Sequence, residues 1–154
     1  MIYWLTGQPG AGKTILGDLL KIHLEGERND KDPNNRYKVY RVDGDDMREL
    51  FSNKDYSIKG RVNNVSTAQR ISHYLHNQGH DVIVSLVSPY LDQREEFKSL
   101  LKNNIREIYV HTSEARERDH WKVKGYNAPV DNFINIDTTE DTPYESLNKI
   151  LNEI

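Results

Sequence analysis

Residues 7–14 read Gly7-Gln8-Pro9-Gly10-Ala11-Gly12-Lys13-Thr14 and match the complete phosphate-loop pattern G-x-x-x-x-G-K-[ST]. The run before the loop, Ile2-Tyr3-Trp4-Leu5, is rich in β-branched and aromatic residues and predicts a buried strand. After the loop, apolar residues recur at helical spacing: Ile15, Leu16, Leu19, Leu20 and Leu24. The loop therefore joins a strand to a helix N-terminus, where backbone N–H groups and the helix dipole favour a bound polyphosphate.

The loop supplies the predicted ATP-binding residues. Lys13 carries a point charge for the β and γ phosphates, and the Thr14 hydroxyl is a predicted ligand for Mg²⁺. Backbone N–H groups provide the other contacts, so the phosphate-binding set is Gly7, Gly10, Ala11, Gly12, Lys13, Thr14 and Ile15. A chance glycine turn after a strand is the alternative, and the full pattern in its strand-loop-helix context argues against it. ATP and Mg²⁺ are the expected cofactors.

Length and composition narrow the class of protein. The 154 residues predict a single domain over 1–154, and the net charge of −3 gives no basic surface for nucleic acid. The absence of cysteine excludes disulfides and thiolate catalysis. No apolar stretch reaches the length of a membrane span, and the first strand begins at once, so we expect a cytoplasmic protein without a signal peptide.

Strand-like and helix-like runs alternate, which predicts an α/β fold with a mostly five-stranded parallel sheet. The predicted strands are 2–6, 38–42, 81–87, 105–111 and 133–136. The predicted helices are 13–25, 61–78, 91–103, 113–119 and 143–154, with a short helix after Asp45. Segments 26–36 and 53–60 are predicted to be irregular. His73, His76 and His80 fall at helical spacing and would share a face of the predicted helix 61–78 if it were continued, and without acidic neighbours they predict a solvated stripe rather than a metal site.

Acidic residues follow the second strand, at the sheet edge where ligands of open parallel sheets bind. Asp43 and Asp45 flank Gly44, and Arg48 comes about one helical turn later. A carboxylate here can hold magnesium or accept a proton from an attacking hydroxyl, and the arginine can clamp an anionic substrate. An ordinary acidic turn and helix cap is the alternative. Beside a phosphate loop we favour catalysis by Lys13, Asp43 and Asp45, with Thr14 and Asp43 as metal ligands.

Two later segments also follow strands. Ser88, Pro89 and Tyr90 come after the predicted central strand, with Arg94 one turn into the next helix, and are candidates for binding the acceptor. A simple strand end and helix start is the alternative. After the fourth strand the basic, aromatic segment 120–126 is a candidate mobile segment that carries Lys122 or Lys124 onto the transferred phosphoryl group. A solvated charged loop is the alternative there.

Together these motifs resemble those of the adenylylsulfate kinase family, which transfers the γ-phosphoryl group of ATP to the 3′-hydroxyl of adenosine 5′-phosphosulfate in sulfate assimilation. The resemblance covers about residues 1–119 and includes the phosphate loop, Asp43-Gly44-Asp45 with Arg48, Tyr56-Ser57, Arg61 with Asn64, Ser88-Pro89-Tyr90 with Arg94, Ile108-Tyr109-Val110 and Arg118-Asp119. It implies a three-layer P-loop kinase fold. It also implies that Asp43 and Asp45 serve magnesium and the attacking hydroxyl, that Arg48, Arg61 and Asn64 hold the sulfonucleotide, that Tyr56 stacks on its adenine, and that Arg118 lies near ATP.

The chain departs from the family pattern around the acceptor. Gly60 stands where the family has an acidic residue, and Ser66-Thr67 stands where it has basic residues. The family continues after Arg-Asp with a Lys-Gly-Leu-Tyr lid and a long segment ending in Phe-Thr-Gly-Ile-Asp, which closes over the sulfonucleotide. Here Lys124-Gly125-Tyr126 leads almost directly to the last strand. The sequence therefore predicts a shortened, more open acceptor pocket.

Three functions stay open at this point. The first is an adenylylsulfate kinase, whose partners are ATP and a nucleotide-like acceptor. The second is a related kinase acting on another hydroxyl of a nucleoside, nucleotide or small metabolite, and the third is a nucleotide-binding module without turnover. Retention of Lys13, Thr14, Asp43 and Asp45 argues against the third, and the absence of an Asn-Lys-x-Asp motif argues against a GTPase. A homodimer is one assembly compatible with the sequence.

Overall fold

The computed structural model describes residues 1–31, 37–114 and 119–154. Within these ranges, five parallel strands form one sheet in the order β2-β3-β1-β4-β5. The strands are β1 Ile2–Thr6, β2 Val39–Asp43, β3 Asp81–Ser85, β4 Ile105–His111 and β5 Phe133–Asp137. The predicted α/β class with a five-stranded parallel sheet is confirmed.

Helices cover both faces of the sheet. They are α1 Lys13–Lys31, α2 Gly44–Leu50, α3 Ile58–Asn77, α4 Leu91–Leu101 and α5 Pro143–Leu151. Side chains alternate along β1: Trp4 packs in a cluster with residues of α3 and α4, whereas Leu5 packs in the cluster that contains residues of α1 and α5. This alternation forms two hydrophobic cores, and burial on both faces is characteristic of parallel sheets.

Two helices are longer than predicted. Helix α1 continues to Lys31, so the prediction of a loop over 26–31 is wrong, and the remaining loop positions lie outside the described residues. Ion pairs four residues apart, such as Lys31 with Glu27, stabilise this polar helical extension. Helix α3 begins at Ile58 because the Ser57 hydroxyl caps it by accepting a hydrogen bond from Gly60 N at 3.2 Å. The predicted irregular segment therefore ends at residue 57.

Other predicted elements are shorter than expected. Strand β3 ends at Ser85 rather than at residue 87, and the Val87 carbonyl accepts a hydrogen bond from the Thr6 hydroxyl at 2.8 Å. Helix α4 ends at Leu101 and a 3₁₀ turn follows it, while α5 ends at Leu151.

The predicted helix over 113–119 is not observed where the structure describes it. Ser113 and Glu114 are not helical, residues 115–118 lie outside the described part, and Asp119–Trp121 forms a 3₁₀ turn. The Ser113 backbone N–H instead donates to the Thr139 hydroxyl at 3.0 Å.

His73 and His76 lie on α3, whereas the third histidine of the predicted stripe does not. His80 lies beyond the end of α3, where its ring is tilted by 58° against that of Tyr40 with the ring centres 4.8 Å apart. His76 Nδ1 lies 3.1 Å from the amino group of Met1. In the described ranges no three histidine or acidic side chains come together in a way that could bind a metal ion. The same ranges contain no helix that is long and apolar enough to span a membrane.

Candidate active site

A cleft of about 880 Å³ opens where β1, β2 and β3 end. Most of the predicted site residues line it: Gly10, Gly12, Lys13, Thr14, Ile15, Asp43, Asp45, Arg48, Tyr56, Arg61, Asn64, Ser88 and Pro89. The phosphate loop forms one wall, and residues from α2, α3 and the connection between them form the opposite wall. Ligands of open parallel sheets bind at this edge.

The phosphate loop wraps closely because its glycines adopt conformations that other residues rarely take. Gly7 has φ +147° and packs so tightly on the Val110 backbone of β4 that a side chain would overlap the Val110 carbonyl. Gly12 has φ +99°. The Lys13 side chain folds across the loop, where Nζ donates to the Gln8 carbonyl at 2.8 Å. A negatively charged phosphate group can replace the Gln8 carbonyl as the partner of that ammonium group.

Two predicted phosphate-binding residues, Gly7 and Ala11, lie on the side of the loop that faces away from the cleft. Ala11 is 1% exposed, and its carbonyl accepts a hydrogen bond from the Thr138 hydroxyl at 3.0 Å. Gly7 N lies 3.5 Å from the Val87 carbonyl. Neither residue lines the cleft, so both fix the shape of the loop.

The predicted metal ligands Thr14 and Asp43 are adjacent. Thr14 Oγ1 donates to Asp43 Oδ2 at 3.0 Å, and Asp43 Oδ1 caps α2 by accepting from Asp45 N at 3.0 Å. The two interpretations of this acidic turn, as a metal ligand and as a helix cap, are therefore compatible. One carboxylate oxygen of Asp43 caps α2, and the other accepts a hydrogen bond from the Thr14 hydroxyl. A hydroxyl and a carboxylate oxygen side by side suit Mg²⁺, which prefers oxygen ligands and keeps several of its waters.

Two arginines share one aromatic ring on the opposite wall. The Arg48 guanidinium lies 4.2 Å from the ring centre of Tyr56, and that of Arg61 lies 5.7 Å from it. Arg48 also donates to the Asp55 carbonyl at 2.9 Å, and burial lowers the pKa of Arg48. The Tyr56 ring is 56% exposed. Two cations beside an open aromatic face, with Asn64 donating to the Gly44 carbonyl nearby, favour an anionic ligand that carries a planar ring.

The segment after β3 is turned partly into the core. The Ser88 hydroxyl accepts a hydrogen bond from the Trp4 indole at 3.1 Å, so this hydroxyl is engaged away from the cleft. Tyr90 does not line the cleft and occupies the N-cap position of α4. Arg94 is 2% exposed, and Arg94 Nε pairs with Glu107 Oε1 at 2.7 Å. Of this predicted acceptor-binding set, only Ser88 and Pro89 reach the cleft.

Hydrogen bonds fasten the segment 121–127 to the phosphate-loop edge. The Gln8 side chain donates to the Val123 carbonyl at 3.1 Å and accepts from Val123 N at 2.9 Å. The Tyr126 hydroxyl lies 3.0 Å from the Thr6 hydroxyl, and Asn127 N donates to the Pro89 carbonyl at 2.8 Å. Burial raises the pKa of Tyr126 to about 12, which keeps its hydroxyl protonated. These hydrogen bonds hold the segment 121–127 against the phosphate-loop edge.

The predicted roles on this segment are only partly matched by its geometry. Lys122 and Lys124 are exposed and do not line the cleft. Trp121, which the sequence reasoning left without a role, does line it and is 62% exposed. The predicted ATP contact Arg118 lies outside the described residues.

Arg41 and Asp18 also line the cleft and were missed. The sequence signal was weak, because an arginine within a predicted strand ordinarily projects into solvent. Arg41 instead has a side chain only 15% exposed and binds Ser85 Oγ at 2.8 Å.

Comparison with known proteins places the chain among phosphoryl-transfer enzymes. The family model for adenylylsulphate kinase matches residues 1–150. A cytidine diphosphoramidate kinase of Campylobacter jejuni is 30% identical over 152 residues, which cover 95% of this chain and 83% of that protein. An adenylyl-sulfate kinase of Pseudomonas aeruginosa is 30% identical over 148 residues, which cover 92% and 71%. The solved APS kinase of Mycobacterium tuberculosis in complex with AMPPNP and APS superposes with a TM-score of 0.78 over 98% of this chain and 95% of that chain, at 18% identity.

Proposed function

The chain belongs to the adenylylsulfate kinase family and is a phosphotransferase that acts on a hydroxyl acceptor, and from this premise we propose that it phosphorylates a ribose hydroxyl of an anionic nucleotide, with adenylylsulfate as the leading acceptor. The observation that carries the proposal is the pair of arginines on Tyr56, which face the phosphate loop across one cleft. An acceptor bound there presents its ribose between the two walls.

The phosphate loop binds the donor in this proposal. Lys13 leaves the Gln8 carbonyl and binds the β and γ phosphates, while loop N–H groups bind the remaining oxygens. Thr14 and Asp43 hold Mg²⁺, which neutralises charge on the transferred phosphoryl group. Asp45 lies at the start of α2 on the cleft wall and accepts the proton of the attacking hydroxyl.

Arg48 and Arg61 recognise the acceptor. Planar guanidinium groups suit the anionic 5′ group of a nucleotide, and the exposed Tyr56 ring suits its base. Asn64 is 93% buried at the base of the wall and fixes the start of α2 through the Gly44 carbonyl. These groups provide charge and stacking, and neither property alone selects one base over another.

Cytidine diphosphoramidate is the second candidate acceptor. The kinase named for it matches over 83% of its own length, against 71% for the Pseudomonas aeruginosa adenylyl-sulfate kinase. The short connection from Asn127 to β5 also leaves out the long segment that adenylylsulfate kinases close over their acceptor. A charged diphosphate next to a ribose satisfies Arg48 and Arg61 in the same way.

A coupled ADP-release assay over both nucleotides, with AMP and nucleosides as further acceptors, tests the proposal. We expect the highest kcat/KM with adenylylsulfate, and we expect Arg48→Ala and Arg61→Ala to raise its KM while sparing that of ATP. Tyr90→Phe, outside the cleft, is the matched control and should change neither KM. A higher kcat/KM with cytidine diphosphoramidate than with adenylylsulfate would make cytidine diphosphoramidate the acceptor. No ADP release with any hydroxyl acceptor would refute the function.

A further inference from the structure

Arg41 is a charged residue enclosed beneath the phosphate loop. It lies in β2 between the buried Val39 and Val42, and its side chain is 15% exposed because it turns toward the start of α1. An arginine so enclosed needs several acceptors, since each unpaired donor would cost free energy.

The acceptors of Arg41 come from three elements. In α1, Nε donates to Asp18 Oδ1 at 3.0 Å and Nη2 to the Thr14 carbonyl at 3.4 Å. In β3, Nη1 donates to Ser85 Oγ at 2.8 Å, and that hydroxyl donates to the Lys13 carbonyl at 3.2 Å. In β2 itself, Nη2 lies 3.8 Å from Asp43 Oδ2. The guanidinium therefore links the first turn of α1 to the ends of β2 and β3.

Gly17 provides the space for this arrangement. A Cβ placed on Gly17 would lie 2.6 Å from Arg41 Cζ and 2.7 Å from Ser85 Oγ, which is too close for either atom. Glycine inside a helix costs about 1 kcal/mol relative to alanine. The close approach of Arg41 therefore explains why a glycine, which destabilises a helix interior, occupies position 17.

We propose that Arg41 is a positioning residue for the metal-binding pair Thr14 and Asp43. These two ligands lie on different elements, and Arg41 contacts the backbone of one and the carboxylate of the other. Groups that hold metal ligands from outside fix their orientation and contribute strongly to affinity. The proposal rests on the proposed function only in assigning Mg²⁺ to this pair, and it is independent of the acceptor.

The test measures how much Mg²⁺ strengthens nucleotide binding. Affinity for a non-hydrolysable ATP analogue is determined by calorimetry in Mg²⁺ and in EDTA, and the ratio of the two is the metal gain. Arg41→Met should lower the metal gain by about tenfold and leave the affinity in EDTA unchanged. Arg41→Lys should lower the metal gain by a smaller factor than Arg41→Met, because the ammonium group keeps the positive charge. Some of the metal gain should still be lost, because the ammonium group cannot reach all the acceptors at once.

Two further variants make the test specific. Gly17→Ala should lower the metal gain in the same direction as Arg41→Met, because its methyl group displaces the guanidinium. Lys21→Met is the matched control: it removes a charged side chain from the same helix whose partner is Glu25 and which does not line the cleft, so the metal gain should not change.

An unchanged metal gain in folded Arg41→Met would overturn the proposal, as would an equal loss of affinity in Mg²⁺ and in EDTA. Circular dichroism and thermal melting establish folding, and if Arg41→Met does not fold, Arg41→Lys and Gly17→Ala decide by the same criterion. A wild-type protein without any metal gain would also overturn it. A wild-type protein with a metal gain but no turnover on any acceptor would refute the proposed function and leave this proposal standing.

Discussion

Replacing Arg94 with methionine should lower the free energy of unfolding by about 4 kcal/mol, because the change breaks a buried ion pair without creating a cavity. Arg94 Nε and Glu107 Oε1 are 2.7 Å apart, and both side chains are 1% exposed. The other guanidinium nitrogens donate to the Ser88 carbonyl at 2.5 Å and the Asn127 carbonyl at 2.6 Å. One side chain thus joins α4, β4, the end of the β3 connection and the segment 121–127.

The magnitude follows from what remains after the substitution. Removing one partner of a buried pair costs about 3–5 kcal/mol. Lys98 Nζ stays 2.7 Å from Glu107 Oε2, which reduces the loss, and the freed Ser88 carbonyl adds about 1 kcal/mol. Although burial alone lowers the pKa of Lys98, its hydrogen bonds to Glu107 and Glu95 raise it, so this partner stays charged. A loss of about 4 kcal/mol is a large part of the roughly 5–15 kcal/mol that stabilises a typical domain.

Urea unfolding followed by circular dichroism measures the change, with thermal melting as a second readout. A loss of this size should lower Tm by roughly 12 °C in a chain of this length. Lys21→Met, which removes a partly exposed ion pair with Glu25, is the matched control and should cost less than about 1 kcal/mol.

The double variant Arg94→Met/Glu107→Leu separates charge from packing. It removes both members of the Arg94–Glu107 pair, and Lys98, which also loses Glu107, keeps its ion pair with Glu95 Oε1 at 2.7 Å. The double variant should therefore regain most of the stability that Arg94→Met loses. A loss below about 1 kcal/mol for Arg94→Met, the size of a surface pair, would refute the reasoning. A double variant less stable than Arg94→Met would do the same.

Three further changes test the site. Lys13→Ala should lower kcat by far more than about tenfold and leave Tm unchanged, since Lys13 acts on phosphate charge; a rate near that of the wild type would contradict the phosphate-loop assignment. Asp43→Asn should reduce kcat more than the affinity for ATP, because asparagine still caps α2 but is a poorer metal ligand; equal losses would make the turn structural. Acceptor binding should change the tryptophan fluorescence of the wild type, and Trp121→Phe should abolish that change, because Trp4 is 2% exposed; a full response in Trp121→Phe would place the effect on Trp4.

Several expectations stay predictions. The single kinase domain over 1–154, the homodimer, the cytoplasmic location and the roles of the individual site residues each need a direct measurement. Gel filtration with light scattering addresses the assembly. The metal and acceptor experiments above address the residues.

The sequence by itself determined the features that depend on neighbouring residues. The phosphate loop is a contiguous motif, and the strand before it and the helix after it are encoded by hydrophobic periodicity. Alternating strands and helices then require a parallel sheet, and the ends of its strands locate Asp43 and the Ser88 segment at one edge. Helix ends were less predictable, because single side chains such as Ser57 decide where a helix begins.

The tertiary structure decided which distant residues meet. The strand order places β3 between β1 and β2, so Ser85 lies beside Asp43 and both come close to the start of α1. Spacing along the chain says nothing about such contacts, because each depends on how strands and helices pack. Arg94 therefore looked like a nucleotide-edge residue in the sequence and is a buried partner of Glu107 in the fold. Arg41 looked like a solvent-facing strand residue, yet it links α1, β2 and β3 beside Thr14 and Asp43, because Gly17 leaves room for it.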